Sequence, residues 1–160
     1  MTEPMQITMR ASAPRRYFGL AMLAGLGGLL LYLALNGEGQ TLGIKVFLIA
    51  LGALALYVTQ RMFQATEQAI ILDETGLHDG AGEMIAELDQ IDRVDRGAFA
   101  FKPSNGFIVI LKEAQKPRWE PGMWWRLGRR VGIGGVTGAA EAKAMAEVIS
   151  GQILARQNSE

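Results

Sequence analysis

Apolar residues divide the chain into an uncharged N-terminal region and a mixed remainder. No charged residue occurs between Tyr17 and Leu35, and a second apolar run from Leu42 to Val58 contains only Lys45 as a charge. About 20 apolar residues in a helix that rises ~1.5 Å per residue cross a hydrocarbon core of ~30 Å. The pattern therefore predicts a transmembrane helical hairpin over 17–62, with spans at about 17–35 and 42–61.

The segments around the two spans predict how the hairpin is oriented. The link 36–40 is rich in turn formers, and so short a link joins antiparallel neighbours. Residues 1–16 are polar and predict a flexible cytoplasmic tail. Basic residues favour the cytoplasmic side, so we expect a multi-pass protein of the bacterial inner membrane with both termini cytoplasmic. The bases near the span ends are Arg10, Arg15, Arg16 and Arg61, against Lys45 on the other side.

A cleaved signal peptide is the alternative for the first apolar run, because a basic stretch precedes it. The run is longer than the ~7–15 residues of a signal-peptide core, and a second apolar run follows it closely. Both observations favour a retained span. Small residues also recur in both runs, and small residues let helices approach closely in lipid. The candidate packing positions, between the two helices or against a partner, are Gly25, Gly28, Gly43 and Gly52.

After Phe63 the pattern changes to short alternating segments separated by turn signals, which predict small strands. We expect strands at 68–73, 77–79, 83–86, 94–101 and 106–111, and a helical turn or irregular strand entry at 88–94. Residues 112–127 are then a long connection, and 131–136 form a last strand. Apolar residues on one face of 138–156 predict an amphipathic terminal helix after the N-cap Thr137.

The order of these segments resembles the bacterial membrane-anchored PH-like proteins, in which two transmembrane helices precede a PH-like domain. The segments that carry the resemblance are Ile-Ile-Leu-Asp-Glu-Thr-Gly-Leu at 70–77, Glu-Leu-Asp-Gln-Ile-Asp-Arg-Val at 87–94, the strand at 106–111, and the last strand with its helix. Leu88 stands where such proteins commonly have an aromatic residue. The resemblance implies an α+β membrane protein with a small antiparallel PH-like barrel or sandwich over 66–156, capped by a C-terminal helix, and it transfers no catalytic residue.

The connection 112–127 and the residues that follow it supply the candidate contact site. All three tryptophans occur here, among six bases and two acids between Lys112 and Arg130. Indole favours the headgroup level of a membrane, and nearby bases favour anionic lipid. The alternative is that Trp124 and Trp125 cover the barrel core while the arginines are solvated. The candidate membrane or partner contacts are Lys116, Arg118, Trp119, Trp124, Trp125, Arg126, Arg129 and Arg130.

Composition disfavours several functional classes. The chain has no cysteine, so thiol chemistry is excluded. It has a single histidine, His78, so a metal site built from several histidines is excluded as well. The glycines at 132–135 lack the Lys-Ser/Thr of a phosphate loop and favour close strand packing. The acids at 89, 92 and 95 are typical of a solvated face. We expect no enzyme activity, cofactor or metal site.

The sequence thus favours a non-enzymatic, membrane-tethered interaction module, an accessory or assembly subunit that binds a membrane protein at the cytoplasmic face. Membrane lipids and an integral membrane protein are the expected partners. A second copy of the chain is an alternative partner, and no nucleic acid is expected. The alternative function is a lipid-headgroup or envelope-stress sensor. An enzyme acting on lipid would need polar groups in the spans, which contain only Lys45 as a charge before Arg61 at the end of the second span.

Overall fold

A computed structural model describes residues 6–97 and 103–158. The chain has an α+β layout: two long apolar helices near the N-terminus, two antiparallel sheets and a C-terminal helix. In chain order the elements are β1 (Ile7–Met9), α1 (Ala13–Asn36), α2 (Leu42–Ala65), β2 (Ile70–Leu72), β3 (Gly76–Asp79), β4 (Met84–Glu87), a 3-10 turn (Leu88–Gln90), β5 (Ile91–Asp95), β6 (Phe107–Glu120), β7 (Trp124–Ile133) and α3 (Ala139–Gln157).

Helices α1 and α2 form an antiparallel pair whose backbones approach closely at two glycines. A β-carbon at Gly27 would lie 2.8 Å from Leu56 Cγ, and one at Gly52 would lie 3.0 Å from Leu31 Cγ. Each would also lie 3.1 Å from the other glycine's carbonyl oxygen. Only glycine permits so short a separation, so this contact fixes where the helices cross.

Both helices are long and apolar enough to cross a membrane. Each has 24 residues, of which only three are buried: Leu20, Gly27 and Ala34 in α1, and Gly52, Met62 and Ala65 in α2. The predicted spans at 17–35 and 42–61 lie within them. Their exposed surface carries many large apolar side chains, among them Phe18, Leu29, Leu35, Phe47 and Leu54.

The segment before α1 differs from the predicted flexible tail. Ile7–Met9 is strand β1, which pairs antiparallel with β2, and α1 begins at Ala13. The Met9 side chain is fully buried in the core. Three residues are too short for alternation to reveal a strand, and the paired residues lie 61 to 65 positions later in the chain, from Met9↔Ile70 to Ile7↔Leu72. Residues 1–5 of the predicted tail lie outside the described residues.

The helical pair is therefore an insertion within one sheet, between β1 and β2. The first sheet has the strand order β1-β2-β3-β4, and each neighbouring pair is antiparallel. The domain is consequently not the continuous 66–156 unit expected from the sequence, because it takes its first strand from the N-terminal side of the helices. Since β1 and β2 pair directly, the beginning of α1 and the end of α2 lie at the same end of the helical pair.

The second sheet has the strand order β5-β6-β7. It contains residues 112–127, so the prediction of a connection there is wrong. These residues belong to a long hairpin rather than a connection: β6 continues to Glu120, and β7 begins at Trp124. Two register shifts, between Ile110 and Gln115 and between Gln115 and Arg118, interrupt the alternation. Because a bulge reverses which residues face the core, the sequence pattern is lost there. Part of the predicted strand at 94–101 falls outside the described residues, and β7 ends at Ile133, before the predicted end at 136.

The core lies between the two sheets and is covered by α3. The fully buried side chains include Leu77, Ile85, Phe107, Leu111 and Ile149, and α3 contacts both β1 and β5, the first strands of the two sheets. Helix α3 was predicted at 138–156 and is observed at 139–157. Across 6–97 and 103–158 the strands form two separate sheets, and backbone pairing does not close them into a barrel.

Candidate functional site

The turn of the β6–β7 hairpin lies against the end of α2. A β-carbon at Gly122 would lie 3.2 Å from Met62 Cε and 3.3 Å from Thr66 Cγ2. Gly122 has a φ of +82°, which favours glycine, and its carbonyl accepts a 3.0 Å hydrogen bond from the Val136 N–H. Arg61 and Glu120 form an ion pair at 3.5 Å across the same contact. We call this region, residues 61–66 with 120–123, the junction.

The start of α1 is also attached to the domain. The Ser12 N–H donates to the Val136 carbonyl at 2.7 Å, and Arg15 Nη1 donates to the Thr137 carbonyl at 2.8 Å. Arg16 Nη2 donates to the Phe63 carbonyl of α2 at 3.3 Å. Helices and domain therefore meet through several backbone and side-chain bonds as well as through the two connecting segments.

The three tryptophans have different environments. Trp124 is 2 % exposed and belongs to the core, whereas Trp119 is 55 % exposed. Trp125 is half-buried, and its indole lies so close to Gly132 that a β-carbon there would be 2.3 Å from Trp125 Cε2. Trp119 and Trp125 are direct cross-strand partners, one residue pair from the hairpin turn. Of the three, Trp119 is the one whose indole is mostly available for contact with another molecule.

Arg126 bridges the edges of the two sheets. Its Nη1 donates to the Ile85 carbonyl of β4 at 2.8 Å and more weakly to the Met84 carbonyl at 3.3 Å. The same side chain donates to the Lys116 carbonyl at 2.9 Å and to Gln115 Oε1 at 3.1 Å. Burial, and to a lesser degree the charge of Arg118, lowers the pKa of Arg126. This guanidinium therefore occupies acceptors within the domain and holds β4 beside β7.

Other predicted contact residues are likewise engaged inside the domain. Arg118 forms ion pairs with Glu83 and Glu120, and its guanidinium carbon lies 5.7 Å from the centre of the Trp124 ring. Arg129 Nε donates to the Leu111 carbonyl at 2.8 Å, at the register shift of β6. Neighbouring acids thus offset part of the positive charge of this region, and a carbonyl occupies one of the arginine donors.

What remains exposed is a smaller surface than the sequence indicated. Lys116, Trp119 and Arg130 are exposed, and so is Arg129, although its Nε donates to the Leu111 carbonyl. Leu127 is 66 % exposed and was missed because a single leucine carries no signal. We call Lys116, Trp119, Leu127, Arg129 and Arg130 the hairpin patch, since all five lie on the β6–β7 hairpin. Two large apolar groups and three cations on one hairpin have the composition of a contact surface.

A cavity of about 220 Å³ opens at the junction. Its polar lining carries both signs of charge, from Arg61, Arg118, Glu120 and Asp79, together with Gln64. Because the arginines are paired with Glu120, the cavity is not a strongly cationic site.

Among the four predicted packing glycines, only Gly52 lies at the contact between the helices. A β-carbon at Gly25, Gly28 or Gly43 would meet no atom of the described chain within 4 Å. The partner of Gly52 is Gly27, which the prediction missed. Leu20, Gly27 and Ala34 are the buried residues of α1 and are seven residues apart, so a heptad spacing that includes the small residues Gly27 and Ala34 was the available signal.

The remaining polar candidates have structural roles. Burial alone would raise the pKa of Asp73, but hydrogen bonds from Thr75 and the Gly76 N–H, and the nearby His78, lower it to about 2.

The glycines at 132–135 serve close strand packing, because Gly134 and Gly135 lie against the backbones of Gly106 and Gly122. Within 6–97 and 103–158, no group of three or more His, Cys, Asp or Glu residues is arranged to hold a metal ion.

Comparison of the chain with protein families, with curated proteins and with solved structures found no match. A function has to be argued from the junction, the hairpin patch and the exposed helical surface themselves.

Proposed function

We propose that this protein is a non-enzymatic, membrane-tethered interaction module. In this proposal α1 and α2 span the bacterial inner membrane, both termini are cytoplasmic, and the domain is PH-like in plan. The module binds an integral membrane protein at the cytoplasmic face, as an accessory or assembly subunit.

The observation that carries the proposal is the apolar surface of the helical pair. At ~1.5 Å per residue a helix of 24 residues is about 36 Å long, enough for a hydrocarbon core of ~30 Å with some tilt. The domain has its own complete core and leaves almost all of this surface uncovered. So large an exposed apolar area is unfavourable in water and favourable in lipid.

The insertion of the helices within one sheet supports the proposed orientation. Because β1 and β2 are paired, a membrane-spanning helical pair would have the start of α1 and the end of α2 on the same side of the membrane. That side carries Arg10, Arg15, Arg16 and Arg61, whereas the link side carries Lys45. The excess of bases favours the cytoplasm for the domain.

Two opposed antiparallel sheets with a terminal helix support the PH-like plan. The seam between β4 and β7 is bridged by Arg126 rather than by backbone pairing. Helix α3 contacts β1 and β5, the other edge strands of the two sheets. The described domain is thus an open sandwich whose two edges are closed by side chains and a helix.

Surfaces left uncovered support partner binding. Gly25 and Gly28, one turn apart on α1, present backbone that another helix can approach closely, because Gly27 already serves the contact with α2. Trp119 of the hairpin patch is exposed one residue pair from the hairpin turn, which lies at the junction. The α1 glycines and this indole are two separate surfaces that a membrane protein can contact.

The test is purification of the tagged full-length protein in mild detergent, with the mass of the recovered complex measured. We expect one partner at fixed stoichiometry, lost when Gly25→Leu and Gly28→Leu are combined and kept in the matched control Ala53→Leu, an exposed alanine of α2. Recovery of the chain alone, or equal loss in the control, would contradict partner binding through α1. Recovery of a second copy of the chain would replace the accessory-subunit proposal with a homo-oligomer.

A second candidate is lipid-headgroup or envelope-stress sensing, and the exposed indole of Trp119 near the junction favours it. The isolated 66–156 fragment is unsuited to a test because it lacks β1. The full chain in bilayer discs with and without anionic lipid should show a blue shift of tryptophan emission that Trp119→Phe removes. A tryptophan emission spectrum that does not depend on lipid charge would exclude headgroup sensing through Trp119.

A further inference from the structure

A groove runs between α1 and α2 at the end nearest the domain. Each helix contributes residues with helical i, i+3, i+4, i+7 spacing: Tyr17, Leu20, Ala21 and Ala24 from α1, and Leu56, Thr59, Gln60 and Phe63 from α2. The volume is about 540 Å³, and most of the lining is apolar. The proposed insertion would place this groove in the cytoplasmic half of the bilayer, where an acyl chain fits its shape and chemistry.

A cation lies at the domain end of this groove. The Arg16 guanidinium carbon is 4.8 Å from the centre of the Phe63 ring and 5.7 Å from that of Tyr17, and both rings line the groove. Stacking on two rings fixes the charge at the end where the headgroup of a lipid would lie.

The protein satisfies this guanidinium incompletely. Nη2 donates to the Phe63 carbonyl at 3.3 Å and lies 3.5 Å from Glu67 Oε1, while Nε is buried without a hydrogen-bond partner. The side chain is 16 % exposed, and Glu67 is more than half exposed, so their ion pair is weakened by solvent. A guanidinium has five N–H donors and matches phosphate oxygens with two parallel bonds.

We propose that the groove and Arg16 form a binding site for one phospholipid, with the phosphate on the exposed part of the Arg16 guanidinium and an acyl chain along the groove. The site rests on the proposed membrane insertion, and it differs from the contact surface that the sequence suggested. Arg118, Arg126 and Arg129 have closer acceptors within the domain, whereas Arg16 has a 3.3 Å bond to a carbonyl and a 3.5 Å ion pair with an exposed acid, and it lies beside an apolar groove. A phospholipid there would bind α1 to α2 next to the junction.

The test uses the full-length protein, purified in detergent and stripped of lipid, with dioleoyl-phosphatidylglycerol as the probe and native mass spectrometry as the readout. We expect one retained lipid. Arg16→Gln should weaken its binding about tenfold or more, because a charge-assisted hydrogen bond is lost, and Arg16→Lys should lose less. Dioleoylglycerol, which has the same chains without the phosphate, should bind about tenfold more weakly than the probe to the unchanged protein.

Matched controls separate this site from general attraction. Arg61→Gln removes an equal charge at the junction, outside the groove, and should leave retention unchanged. Ala21→Leu fills the groove without touching the charge and should displace the lipid, whereas Ala53→Leu on the exposed surface of α2 should not. Equal loss in Arg16→Gln and Arg61→Gln, full retention in Ala21→Leu, or no retained lipid would overturn the site.

Failure of this site is distinguishable from failure of the proposed function. A chain that needs detergent but retains no lipid would overturn only the phospholipid site. A chain that stays monomeric in buffer without detergent would overturn the membrane insertion and with it both proposals.

Discussion

At the residue scale, Arg126 shows how a side chain replaces backbone pairing at an open sheet edge. The guanidinium supplies donors to the Met84 and Ile85 carbonyls, which have no strand beyond them in the first sheet. Arg126→Met keeps the apolar stem and removes the donors. We expect the free energy of unfolding to fall by about 2–3 kcal/mol, because two part-buried carbonyls lose their partner. The measurement is denaturant unfolding in detergent, with tryptophan emission as the probe.

The control for this change is Arg130→Met on the same strand. Arg130 is exposed, so the substitution should change the free energy of unfolding by less than about 0.5 kcal/mol. If both variants unfold at the same denaturant concentration as the unchanged protein, Arg126 does not hold the seam.

Asp73 gives the domain a dependence on acid. The folded-state pKa, about 2, lies below the ordinary value of 3.8, so the carboxylate contributes stability that is complete above pH 4 and is lost as the pH falls toward 2. Asp73→Asn should therefore show a smaller loss of stability between pH 4 and pH 2 than the unchanged protein. The comparison uses thermal unfolding across that range, with Glu74→Gln, an exposed neighbour, as control. If Asp73→Asn loses as much stability between pH 4 and pH 2 as the unchanged protein, Asp73 is not the source of the acid dependence.

At the element scale, the insertion of two helices between β1 and β2 makes the short first strand important for the whole domain. Met9 fills the core with no exposed surface, so Met9→Ala should lower the free energy of unfolding by about 2–5 kcal/mol. Thr8→Ala on the same strand should cost much less, since Thr8 is exposed. Equal effects, measured by denaturant unfolding, would mean that β1 is not part of the core.

The contact between α1 and α2 makes a second prediction at this scale. Gly27→Leu places a side chain against Leu56 and the Gly52 carbonyl, and we expect it to destabilise the helical pair by about 1–3 kcal/mol through overpacking. Gly28→Leu, one residue away, points into open space and should be tolerated. The measurement is the midpoint of thermal unfolding in detergent, and a lower midpoint in Gly28→Leu than in Gly27→Leu would contradict the packing.

The elements differ in how far the sequence predicts them, and the reason is physical. Long uncharged runs and the apolar face of α3 are local patterns, so these helices were predicted within a few residues. Strand β1 depends on pairing with Ile70–Leu72, far along the chain, and the register shifts of β6 hid the hairpin at 112–127. The candidate site was predicted least well, because whether the donors of an arginine are already occupied depends on acceptors from other segments, as for Arg118, Arg126 and Arg129.

At the scale of the whole molecule, the paired strands β1 and β2 restrict the topology. Any arrangement in which only one of the two helices crosses the membrane would separate Ile7–Met9 from Ile70–Leu72, which are hydrogen-bonded neighbours. The two helices therefore cross together or not at all. This restriction makes the position of the link between them the decisive feature of the proposal.

The most direct measurement is labelling of single introduced cysteines in intact cells with a thiol reagent that does not cross the membrane. The chain has no cysteine of its own, so Glu38→Cys in the link, Gln6→Cys before β1 and Asn158→Cys after α3 each report one position, and all three are exposed. We predict that Glu38→Cys reacts from outside, while the other two react only after the cells are opened. Protection of Glu38→Cys together with the other two would contradict the two-span arrangement, and reaction of either terminal position from outside would contradict its orientation.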